Sequence, residues 1–151
     1  MQDALNMFWD GYDFSTSGIL LSTIIDLSSA DRDINIGDPI EVFLGIETAV
    51  SGAAVTSIEA RVNAAAVLGG SGPSSWTLTS GAMMGSSGDI NVTGFWDTPG
   101  EFALIMPRKC LRYLQVQVYP TGGAALTAGI VNCKIQKAGT TPNRLGGYPS
   151  A

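Results

Sequence analysis

Every second residue across Pro39–Thr48 is aliphatic. Ile40, Val42, Leu44 and Ile46 fall on one face, and Glu41, Phe43, Gly45 and Glu47 fall on the other. Side chains alternate across a strand, so this period-two pattern fits a half-buried strand and no helix. The pattern recurs along the chain. Ile58, Ala60 and Val62 alternate with Glu59, Arg61 and Asn63; Phe102, Leu104 and Met106 alternate with Glu101, Ala103 and Ile105. Leu114, Val116 and Val118 alternate with Tyr113, Gln115, Gln117 and Tyr119, and Val131, Cys133 and Ile135 with Asn132, Lys134 and Gln136. Ile19–Asp26, Ser75–Ser80 and Asp89–Gly94 are shorter strand candidates. Turn signals rich in Gly and Pro separate the runs, as at Gly37-Asp38-Pro39, Gly69–Pro73, Thr98-Pro99-Gly100 and Pro120–Gly123. About eight short antiparallel strands of this kind predict an all-β, two-sheet sandwich, of which the jelly roll is a common form. One core is expected to hold Ile40, Val42, Leu44, Ile46, Leu114, Val116, Val118, Val131 and Ile135.

A chain of 151 residues is one domain by length. Charged residues make up 14%, against about 25% in ordinary domains, so much of the outside is expected to lie against something. Acids dominate up to Glu59 and bases after it. Either this makes an acidic front and a basic back for contacts between copies, or the two halves interleave and the field cancels. The ends differ from the middle. Residues 1–18 carry Phe8, Trp9, Tyr12 and Phe14 without clean alternation, and predict an N-terminal arm or an added edge strand. Residues 19–137 make the jelly-roll domain. Residues 138–151, with Pro142, Tyr148 and Pro149, predict an extended tail that orders only against a partner. The acidic start gives no signal peptide, and no apolar run is long enough to span a membrane. Synthesis in a cytoplasm and no membrane partner are therefore expected.

The chain has no histidine. That excludes Ser-His-Asp and Cys-His hydrolases and His-ligated zinc or haem. Asp31, Asp33 and Asn35 begin like a calcium loop, but Gly37 comes one place late and the twelfth position is Val42. Gly69–Gly72 and Gly85–Gly88 lack the Lys and Ser/Thr of a phosphate cradle and read as loops. Glu41 and Glu47, on an outward strand face, are not a paired glycosidase dyad. No enzyme, cofactor or metal is expected. Net acidity disfavours nucleic acid. Arg108, Lys109 and Arg112 form the one basic cluster, either the polar mouth of a strand or a docking contact for an acidic partner. Trp9, Trp76, Trp96, Tyr113 and Tyr119 are the aromatics on which a carbohydrate-binding sandwich would rely. Cys110 and Cys133 are expected to be free buried thiols.

The run Ser29–Val42, the strand Leu111–Val118, and Gly122-Gly123 followed by Leu126–Val131 resemble the capsid cement, or decoration, proteins of podovirus-like tailed phages, such as the one from a Bordetella phage. The resemblance spans roughly Ser22 to Lys137 and rests on strand and turn patterns. It implies a jelly roll that trimerises on the outer capsid surface of a virion and clamps major capsid subunits. It carries no catalytic residues. On this reading Trp9, Tyr12, Phe14 and Tyr148 are arm contacts, Arg108 and Lys109 are capsid contacts, and Phe43, Tyr113, Gln115, Gln117 and Tyr119 meet the next copy. The alternative is a carbohydrate-binding β-sandwich on a phage surface.

Overall fold

The computed structural model describes residues 6–15, 19–28, 39–71, 77–79, 81–105, 111–121 and 124–137. Among the described residues eleven strands run β1 Met7–Asp13, β2 Leu20–Leu21, β3 Ile25–Asp26, β4 Ile40–Ser51, β5 Ser57–Ala65, β6 Val67–Gly69, β7 Thr77–Thr79, β8 Ala82–Asn91, β9 Gly100–Ile105, β10 Tyr113–Pro120 and β11 Ala128–Lys137. One sheet has the order β1-β11-β4-β9; the second has β2-β10-β5-β8, with β3 also on β10. The hairpin β6-β7 stands apart. All pairs are antiparallel. The two sheets pack face to face over one core, as the period-two sequence predicts. All nine expected core residues lie in it, each at most 3% exposed. Both sheets alternate early and late strands, so the acidic and basic halves interleave.

The N-terminal segment is a correction to the arm reading. β1 is an edge strand on β11, and Trp9 and Phe14 are 4% and 0% exposed. Its alternation is hidden because its register shifts between Met7 and Trp9 and again between Trp9 and Tyr12, the second shift containing Gly11 at φ 60°. The neighbours Phe8 and Trp9 are consequently both buried. The second correction is on β4. Phe43 and Glu41 are buried although they share the face expected to point outward. β4 is central in its sheet, and its register partners Lys134 and Gln136 are long side chains whose stems can cover that face.

The third correction concerns Gly85–Gly88, which lies inside β8 rather than in a loop. The register skips there, from Glu59↔Asp89 to Arg61↔Ser86, and Gly88 at φ 68° takes the left-handed turn of the bulge. Ala60, which the ladder misses, donates its N–H to Ser87 Oγ at 3.0 Å. A side chain plays a similar part where Ile19–Asp26 divides into two strands. Between β2 and β3, Ser22 Oγ accepts the Val116 N–H at 2.9 Å, so the core strand β10 keeps its hydrogen bond across the break.

Candidate functional site

Strand β10 buries Leu114, Val116 and Val118 and turns Tyr113, Gln115, Gln117 and Tyr119 to the outer face of the five-stranded sheet. The register sets Gln117 between Leu21 and Arg61, Gln115 beside Asn63, and Asn63 beside Met83. Polar groups on this face bind one another. Arg61 Nη2 sits 2.9 Å from Glu59 Oε2, and its guanidinium lies 4.2 Å from the Tyr119 ring centre. The Tyr119 hydroxyl donates to Gln117 Oε1 at 3.0 Å, and Asn63 Nδ2 donates to the same oxygen at 2.6 Å. Hydrogen bonds from Arg61 and then Ser86 hold the Glu59 carboxyl below its ordinary range. At the other end, Arg112 makes a two-pronged contact with Asp26, at 3.0 and 3.1 Å, and lies over the Tyr113 ring. That contact lowers the Asp26 pKa to about 2.

The β6-β7 hairpin interrupts the β5–β8 connection and returns toward the outer face of this sheet. Between hairpin and sheet is a cavity of about 300 Å³ lined by Leu21, Asn63, Thr77, Leu78, Gly81, Gln115 and Gln117. Among the described residues its lining contains three amides and no ionisable group.

A second surface lies at the edge where β1 and β2 run side by side in opposite sheets. Thr23 joins them, its Oγ1 donating to the Phe8 carbonyl at 2.9 Å. Tyr12, Ile19 and Leu21 are exposed on this edge, at 39%, 50% and 52%. Tyr12 is held by ring contacts with Trp9 and Phe14, 5.9 and 6.1 Å away.

The structure thus gathers Tyr113, Gln115, Gln117 and Tyr119 in one row. It sends Trp9, Phe14 and Phe43 to buried positions and leaves Tyr12 on an edge. Arg108, Lys109, Tyr148, Trp76, Cys110 and the Asp31–Gly37 run lie outside the described residues. Trp96 is fully buried in the core, and Tyr113 and Tyr119 each carry an arginine over one ring face. Among the described residues no cluster of three or more Cys, Asp or Glu is placed to hold a metal, and no helix is long and apolar enough to cross a membrane. The sequence reading missed the amide pocket. Its parts are three strands, a hairpin and Gly81, far apart in the chain, and polar residues alternating on a strand signal only an outward face. The chain matches no protein-family model and no curated protein.

Proposed function

We propose that this chain is a structural protein of a virion, a cement or decoration protein that sits on the outside of a tailed-phage capsid as homotrimers and ties major capsid subunits together. The observation that carries this reading is the β1/β2 edge. Three large apolar side chains are exposed at this edge: Tyr12 on β1, Leu21 on β2 and Ile19 just before β2. A sheet edge with exposed apolar residues is a template for association. The described residues form an antiparallel sandwich, and the chain has only 14% charged residues, which suits a part that bears load.

The strand order supports the jelly-roll form. With β2 and β3 counted as one interrupted strand and the β6-β7 hairpin set aside, the sheets read first-eighth-third-sixth and second-seventh-fourth-fifth. Every connection then crosses between sheets except β5 to β8. The contact between copies is drawn to the edge rather than to Gln115 and Gln117, because those two floor the cavity beneath the hairpin and a flat partner does not reach them. Tyr113 and Tyr119, at the ends of the row, remain available to the shell. A trimer would hold the shell more tightly than one copy, since its second and third contacts form at high effective concentration.

The test adds the purified chain to expanded capsids that lack it. Co-sedimentation and a higher temperature of shell disruption are expected, and the double variant Tyr12→Asp/Ile19→Asp, shown to be folded, should lose both. Absence of binding to expanded shells would overturn the reading.

A further inference from the structure

We propose that the cavity between the β6-β7 hairpin and the five-stranded sheet is a binding site for a neutral sugar, sized for one pyranose ring. This inference rests on the pocket alone and needs neither a shell nor a trimer. The floor is three half-buried amides, each tied at one end. Gln117 Oε1 is engaged by Asn63 Nδ2 at 2.6 Å and by the Tyr119 hydroxyl at 3.0 Å. Gln115 Nε2 donates to the Ser22 carbonyl at 2.9 Å. The opposite ends then have fixed directions: a donor at Gln117 Nε2 and acceptors at Asn63 Oδ1 and Gln115 Oε1. Hydroxyl groups both donate and accept, so a sugar can satisfy this mixed set.

The charge of the site selects against ions. Among the described residues no ionisable side chain lines it, and the nearby Arg61 is already engaged by Glu59 and Tyr119. A carboxylate, phosphate or ammonium entering here would lose water and gain no counter-charge. The walls decide the shape. Leu21 and Leu78 give apolar surface beside the amides, and at Gly81 a Cβ would come within 3.1 Å of Leu78 Cβ, so the site is close-walled there. A pyranose presents C–H groups to such a wall and hydroxyls to the floor. About 300 Å³ is the lower end for small-ligand sites, which matches one ring and not a long chain. Among the described residues the floor and walls of the site are amides and leucines.

The experiment titrates the full chain with glucose, galactose, N-acetylglucosamine and rhamnose in turn, and follows the side-chain amide NMR signals of Asn63, Gln115 and Gln117. At least one sugar should shift these signals saturably, while acetate and ammonium should not. Gln117→Leu should weaken that binding about tenfold, the worth of one hydrogen bond. Thr77→Trp, which fills the pocket from the hairpin and leaves the sheet intact, should do the same, and it decides the matter if Gln117→Leu does not fold. No saturable shift with any sugar would overturn the proposal. So would sugar binding that survives Thr77→Trp. Loss of shell binding by Gln117→Leu, with no response to any sugar, would also overturn it and assign the pocket to a protein loop of the shell.

Discussion

The guanidinium of Arg61 lies over the ring of Tyr119, 4.2 Å from its centre, while its Nη2 holds Glu59 at 2.9 Å. One planar cation thereby joins β5 to β10 across the outer face and fixes the hydroxyl that orients Gln117. Arg61→Ala should cost about 1 kcal/mol, because exposed ion pairs and cation–π contacts are screened by water. Arg61→Lys should recover little of it, since an ammonium cannot stack and fork as a guanidinium does. Urea unfolding of the three proteins checks both statements. Equal stability of all three would show that the stack contributes nothing.

Phe14 is fully buried and packs edge-on to Trp9 with ring centres 5.2 Å apart. Phe14→Ala should therefore destabilise the fold by about 3–5 kcal/mol through lost burial and a cavity. Removal of residues 1–14 should unfold the domain rather than merely weaken its binding. Circular dichroism and thermal melting of both variants are the check, and a truncated chain that melts like the full one would contradict the edge-strand account.

The strands of the centre were legible because Ile40–Ile46, Leu114–Val118 and Val131–Ile135 alternate without interruption. β1 and β8 were not, for one shared reason: a bulge adds a residue and reverses the parity. Gly11 and Gly88 mark these breaks, and in sequence each looks like an ordinary turn glycine. The burial of Glu41 and Phe43 was hidden for another reason. Alternation says which residues share a face, not whether that face is covered. Tyr113, Gln115, Gln117 and Tyr119 were correctly read as one row, but the hairpin that makes a pocket over its middle comes from the uncharged Gly- and Ser-rich stretch, which has no periodicity to read.

Asp26 gives the pH dependence a sign. Its folded pKa, about 2 in place of 3.8, is set mainly by the hydrogen bond from Arg112. A depressed carboxylate pKa stabilises the fold above the unfolded value, and the gain is lost as pH falls from 3.8 toward 2. The pair is substantially exposed, so the effect is small after screening. Asp26→Asn should flatten that part of the stability-against-pH curve and leave the curve near neutrality almost unchanged. Denaturant midpoints between pH 2 and pH 5 test this, and identical acid limbs for the two proteins would refute it.

Cys133 is buried in the core, and burial alone pushes its thiol pKa up. A thiol held in its neutral form is a poor nucleophile. In a Cys110→Ser background, Cys133 should resist a thiol reagent in the native protein and react at once in denaturant. Fast labelling under native conditions would mean that the sandwich opens readily between β4 and β11.

The most direct test of the central claim is a cryo-electron microscopy map of expanded capsids decorated with this chain. The account predicts threefold clusters on the outer surface, with the β1/β2 edge, and Tyr12, Ile19 and Leu21 on it, buried between copies. Isolated single copies, or clusters that leave this edge open to solvent, would contradict it.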